Sequence, residues 1–242
     1  MPFLIIVIFF IMLAMFFKSP TGKGWLGELA VNIVLGRNKK GVKYKVNNFT
    51  FKYEDKTIQI DHLLINKKGI FVIETKNYRG RIYGDENSNQ WTQVFNYGKS
   101  KFKMYNPIRQ NKSHVYHLNQ LLKDFDVCFH SIIVFFDNTT KHIKATTPVI
   151  QVPMLRKTVG KIETSKELSA EDIESIYNFL ISYKQNNRIR KRTHVKNVKK
   201  RLNNINKNIC PRCNSKLVER KSRHGFFMGC ENYPKCKFIK NR

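Results

Sequence analysis

The stretch TIQIDHLLINKKGIFVIETKN, from Thr57 to Asn77, holds two runs rich in Ile, Leu, Val and Phe on either side of Asn66-Lys67-Lys68-Gly69. Apolar runs of this length around a short turn containing Gly predict a β-hairpin. An even loop centred between Lys67 and Lys68 sets Asp61 opposite Glu74. Side chains alternate along a strand, so Glu74 and Lys76 share a face with Asp61, while Phe71, Ile73 and Thr75 take the other. Two carboxylates and an ammonium converge on one patch.

Carboxylates this close repel unless a cation lies between them, and hard oxygen ligands suit Mg²⁺ or Mn²⁺, with the Thr75 carbonyl as an added ligand. Such a cation polarises a phosphoryl oxygen and lowers the pKa of bound water, while Lys76 positions that water or offsets charge developing on the phosphorane. Hydrolysis of a phosphodiester is the expected chemistry. The same residues also fit solvent-facing charges on a half-exposed hairpin.

Four ordered motifs then carry a resemblance. They are Gly24-Trp25-Leu26-Gly27-Glu28, Gln59-Ile60-Asp61-His62, Ile73-Glu74-Thr75-Lys76-Asn77-Tyr78-Arg79-Gly80 and Asn106-Pro107-Ile108-Arg109-Gln110-Asn111. In that order they resemble the NERD (nuclease-related) domain of the PD-(D/E)XK restriction-endonuclease-like superfamily, closely from Gly24 to Asp137 and more loosely to Lys184. The resemblance implies Asp61 and Glu74 as metal carboxylates, Lys76 as catalytic lysine, Glu28 as an accessory carboxylate and Gln110 as a polar helper. Ile60 stands where the superfamily's Pro would precede Asp61. Glu28 equally suits a helix start. Gln110 and His114 share a helix face, but no acidic residue lies at ligand spacing near His114, so a structural or substrate-contact role is expected for it.

A second signal closes the chain: Cys210-Pro211-Arg212-Cys213, then Cys230 and Cys236. Four cysteines in a short basic module predict a Cys₄ zinc site. Residues Gly225 to Cys236 resemble the C-terminal zinc fingers of type IA topoisomerases, which implies single-stranded DNA as a partner. Phe226, Phe227 and Tyr233 are placed to stack on bases, and Arg220, Lys221, Arg223, Lys235 and Lys237 to follow phosphates. The aromatics would also serve as the core of a small ribbon. A disulfide framework is the alternative and needs an oxidising compartment.

Met1 to Phe17 is free of charge, and basic residues follow it from Lys18 and Lys23. No basic segment precedes the apolar run, which argues against a cleavable signal. A single-pass anchor is expected, with its N-terminus outside and the bulk of the chain cytoplasmic.

Net charge is +28 over 242 residues. The segment Lys184 to Arg242 holds 19 of the 45 Lys and Arg residues, with Glu219 and Glu231 as its acids. Such excess points to a polyanion, with anionic lipid as a competitor. The expected architecture is α/β: a restriction-endonuclease-like mixed sheet flanked by helices, plus an N-terminal transmembrane helix and a small C-terminal zinc ribbon. The divisions are an anchor at 1–18, a NERD domain at 19–184, a basic linker at 185–207 and a C4 finger at 208–242. The linker is expected to be mobile or a helix that orders on binding. An edge strand is expected near Gly80 to Tyr83, and Cys128 in the core. The reading is a membrane-anchored, metal-dependent nuclease acting on DNA, with a homodimer as a further expectation. The alternative is a tether for DNA or RNA that does not cut.

Overall fold

The computed structural model describes residues 7, 11–17, 19–54, 56–136, 140, 142–187, 191–222 and 225–240. The expected membrane span, 1–18, lies mostly outside these, as do Arg223 and Asp137. Residues 11–17 are helical, and among the described residues no helix is long and apolar enough to cross a membrane. The chain forms two compact units, residues 1–49 with 59–186, and residues 50–58 with 187–242.

Helix α1 (Pro20–Leu35) leads into strands β1 (Lys43–Tyr53), β2 (Lys56–Asn66) and β3 (Gly69–Lys76), which belong to the first unit apart from residues 50–58. Ser19 caps α1, its Oγ accepting from the Gly22 N–H at 3.1 Å, and Gly36 at φ 74° ends it. The hairpin takes the expected register, with His62 opposite Ile73 and Asn66 opposite Gly69. β3 also pairs in parallel with β7 (Phe129–Phe135). A strand bordered on both edges and covered on both faces reads as an unbroken apolar run, which explains Ile70 to Ile73. With β9 (Val149–Gln151) the sheet has the order β1-β2-β3-β7-β9. Val31, Leu35, Phe71, Ile73, Ile132, Val134 and Leu155 form its core under α1 and α3 (Leu155–Lys161). Each such buried side chain contributes about 1.5–3 kcal/mol relative to exposure.

A second sheet is built mostly from the segment between β3 and helix α2 (Pro107–Leu121). It comprises β4 (Arg81–Asp85), β5 (Gln90–Phe95), β6 (Ser100–Tyr105) and β8 (His142–Lys144), in the order β6-β5-β4-β8. The strand expected at an edge near Gly80 is therefore interior. Its parallel neighbour β8 comes from a distant part of the chain, which local pattern does not reveal. Ile82 and Trp91 pack with Ile108 of α2 and Ile133 and Phe135 of β7. Helix α4 (Ala170–Asn186) starts at a capping box in which Ser169 and Asp172 bond reciprocally. Cys128 is half-buried and not in the core; its Sγ lies 3.3 Å from Ser165 Oγ.

In the second unit the basic segment expected as a linker forms helix α5 (Lys191–Asn206). It is followed by a three-stranded sheet, β10 (Leu217–Ser222), β11 (Gly225–Cys230) and β12 (Ile239–Lys240). Val195, Val198, Leu202 and Ile205 recur at helical spacing, and Ile205 packs on the small core of Leu217, Phe238 and the cysteines.

Candidate active site and zinc centre

Three local features aim the first site's side chains. Gly27 lets α1 approach β3, because a Cβ there would lie 3.3 Å from both Thr75 and Asn77. Asn106 caps α2 through the Ile108 N–H and donates to the carbonyls of Asp85, Glu86 and Ser88. Asn111 is buried and donates to the Val72 carbonyl at 2.8 Å and Ser131 Oγ at 2.9 Å, pinning α2 across β3 and β7. Gln110, one residue earlier, is thereby directed to the C-terminal end of β3.

There the predicted residues meet. Lys76 Nζ lies 2.6 Å from Glu74 Oε1 and donates to Gln110 Oε1 at 3.0 Å. Gln110 Nε2 donates to the same Glu74 oxygen at 2.7 Å. Asp61 Oδ2 accepts the Thr75 N–H at 2.9 Å. His114 Nδ1 stands 3.4 Å from Glu74 Oε2, so α2 brings it the acidic partner that its own stretch of sequence lacks. Glu28 Oε2 accepts from Asn48 Nδ2 at 3.3 Å. Its charge reaches Asp61.

Burial, and then the charge of Glu74, push Asp61 up to about 8, with Glu28 adding to the same effect. Burial would also raise Glu74, but the Lys76 ammonium and His114 overcome it and hold Glu74 below the usual carboxylate range. Lys76 is likewise desolvated, yet Glu74 keeps it above its ordinary value and charged. His62 is buried at the hairpin with Nδ1 2.9 Å from Asn47 Oδ1, and burial followed by Lys45 lowers it to about 4.

Glu74 Oε2 is buried without a hydrogen bond. That oxygen, unbonded with the His114 ring 3.4 Å away, and the carboxyl of Asp61, held protonated near neutrality by burial and then by its neighbour's charge, fit a divalent cation as their missing partner.

The zinc residues converge more fully. The Sγ atoms of Cys210, Cys213, Cys230 and Cys236 all lie within 4.8 Å of one another, with 3.7 Å between Cys210 and Cys236 and 3.3 Å between Cys213 and Cys230. A tetrahedron with Zn–S near 2.3 Å has edges of about 3.8 Å, and a disulfide needs about 2.05 Å, so the set suits Zn²⁺ and holds no disulfide. Among the described residues it is the one cluster of three or more such ligands.

Around it, Phe226 and Tyr233 are exposed, as are Lys221, Lys235 and Lys237, and Phe227 is half-buried. Arg220 is committed to the ribbon itself: Nη2 donates to the Cys230 and Glu231 carbonyls, and the guanidinium lies 5.7 Å from the Tyr233 ring. The buried aromatic of the core is Phe238, two residues past the last cysteine.

A family profile described as nuclease-related domain matches residues 23–136, and one described as topoisomerase DNA binding C4 zinc finger matches residues 207–242. An uncharacterized protein of Bacillus anthracis is 30% identical over 182 residues, covering 73% of this chain and 84% of that protein. DNA topoisomerase 1 of Mycoplasmoides gallisepticum is 51% identical over 43 residues, which is 18% of this chain and 6% of the topoisomerase. The uncharacterized protein YrdD of Escherichia coli is 43% identical over 35 residues, 14% of this chain and 19% of that protein. No solved structure matches the chain.

Proposed function

This chain belongs to the nuclease-related-domain family and ends in a topoisomerase-type C4 zinc ribbon, and from that premise we propose that it hydrolyses DNA phosphodiester bonds with Mg²⁺ or Mn²⁺. The observation that carries the reading is the joining of Asp61, Glu74, Lys76 and Gln110 at the end of β3.

Asp61, Glu74 and the Thr75 carbonyl would hold the cation. When bound, it supplies Lewis acidity toward the phosphoryl oxygen and a water of lowered pKa. Lys76 stays protonated and presents its ammonium to negative charge developing on the phosphoryl oxygens. Gln110 bonds both Lys76 and Glu74 and so fixes their spacing. His114, its Nδ1 3.4 Å from the far oxygen of Glu74, helps to keep that carboxyl ionised. Glu28 acts on Asp61 through its charge.

The ribbon at 208–242 binds single-stranded DNA through Phe226, Tyr233 and its lysines and brings it to the domain at 19–184. Segment 185–207 joins the two. The apolar run at 1–17, followed by Lys18 and Lys23, anchors the protein in the cell membrane with its bulk in the cytoplasm.

The test is cleavage of end-labelled linear and circular DNA, single- and double-stranded, with Mg²⁺ or Mn²⁺. Metal-dependent products that disappear in both Asp61→Ala and Lys76→Ala are expected. Binding without cutting, unchanged by either substitution, would replace the enzyme with a tether.

A further inference from the structure

The second sheet buries one face and leaves the other open. Ile82, Trp91 and Met104 point into the core with α2 and β7. The register places Tyr83 beside Thr92 and His142, Thr92 beside Lys103, and Val94 between Arg81 and Lys101. By alternation these residues share the outer face, and Tyr83, His142, Arg81, Lys101 and Lys103 are exposed. The Tyr83 ring stacks on His142 with centroids 4.5 Å apart. A cavity of about 520 Å³ opens over this face, lined by Tyr83, Thr92, Val94, Lys101, Phe102 and Lys103.

At the β5–β6 turn Asn96, Tyr97 and Gly98 all have positive φ, at 49°, 54° and 100°. Tyr97 is fully exposed there. An aromatic residue in the left-handed region carries backbone strain of a kind that clusters at ligand-binding sites, and its ring stands open to solvent. Charge tells what the ligand is. Arg81 and Lys101 have no acidic partner among the described residues, and Lys103 bonds the neutral Thr92 at 3.0 Å. Asp85 turns its carboxylate back onto the N–H groups of Asn87 and Ser88. Flat rings flanked by unpaired cations on an open sheet suit unstacked bases joined by phosphates, not a rigid duplex whose bases are hidden.

We propose that the outer face of β4, β5, β6 and β8 is a second binding platform for single-stranded DNA, separate from the zinc ribbon. Three of its four strands, β4 to β6, lie in the chain between Lys76 and Gln110, so DNA bound there is held by the insertion that the site's own elements frame. The proposal takes DNA as the partner from the functional reading but does not require cutting.

The full-length, zinc-loaded protein is photocrosslinked to an oligodeoxythymidylate carrying 5-iodouracil, without added Mg²⁺ or Mn²⁺, and the peptides are mapped. Crosslinks within residues 81–105 or 142–144, beside those in the ribbon, are expected, and are expected equally in Asp61→Ala. Crosslinks confined to residues 207–242 overturn the proposal whether or not the protein cuts. Anisotropy with the same oligonucleotide gives the second measurement. Lys101→Glu with Lys103→Glu, both surface changes, raises Kd about 10-fold or more and flattens the log–log salt dependence by about 0.7 for each phosphate no longer neutralised. Tyr97→Ala weakens binding about 5- to 10-fold. Unchanged affinity and slope in both variants also overturn it.

Discussion

Asp61 carries the conflict between stability and chemistry most plainly. Burial and the charge of Glu74 raise it to about 8, so the metal-free fold must keep a proton on it or bear a second buried negative charge. Asp61→Asn keeps the shape and the acceptor for the Thr75 N–H. It should stabilise the metal-free protein by about 1–2 kcal/mol at pH 8 while abolishing metal-dependent cutting; an unchanged or lowered denaturation midpoint would show that the carboxylate is not strained. Gln110 acts through its neighbours. Gln110→Leu should lower kcat about 10- to 100-fold with Kd for DNA unchanged, whereas a merely structural role would lower the melting temperature and spare kcat. Asp61, Glu74 and Lys76 are legible in the sequence because one turn fixes the register that gathers them. His114 is not, since its partner Glu74 reaches it only through the packing that Asn111 enforces.

At the scale of elements, the hairpin announces itself by its apolar runs and a helix is expected through Gln110 and His114, but of the inserted sheet the reading anticipates only a strand near Gly80 to Tyr83. β5 and β6 mix Lys, Gln, Thr and Ser with their aromatics because one face is wet, and β8 has three residues. What holds that sheet is specific packing and bonding. A Cβ on Gly84 would lie 2.3 Å from the Trp91 ring. Gly84→Ala should therefore displace the indole and cost about 1–3 kcal/mol, seen as a lower denaturant midpoint with red-shifted Trp emission. Glu86 clasps the same region, accepting from Lys112, Thr146 and Thr147. These hydrogen bonds, the Lys112 one foremost, hold its carboxyl well below the usual range. A depressed carboxylate stabilises the fold fully above its unfolded pKa of about 4.3 and loses that contribution as pH falls. Glu86→Gln should thus cost about 1–2 kcal/mol at pH 7 and progressively less below pH about 4; a gap that stays constant with pH would deny the ionised form its role.

At the scale of the whole molecule, the two units differ in what keeps them folded. The first has clusters led by Phe71, Ile73 and Ile132 and by Trp91 and Phe135, enough apolar burial to stand without a cation. The second rests on Leu217, Phe238, part of Met228 and Ile205, and four thiols that crowd within 4.8 Å. A core so small depends on its metal. Its cysteine spacing is legible in the sequence, whereas α5 is legible only as the alternative to a mobile linker, because Val195, Val198, Leu202 and Ile205 are thin among lysines and asparagines. Removing zinc with a chelator should erase hydrogen-exchange protection in β10, β11 and the end of α5, and leave β3 and β7 protected. A reductant alone should change nothing, since the thiols are already free. Affinity for single-stranded DNA should fall but persist, with the residual binding sensitive to Lys101→Glu and Lys103→Glu. Loss of all binding with zinc would assign DNA to the ribbon alone, and loss of protection in β3 would mean that the nuclease-related domain cannot hold its site without the finger.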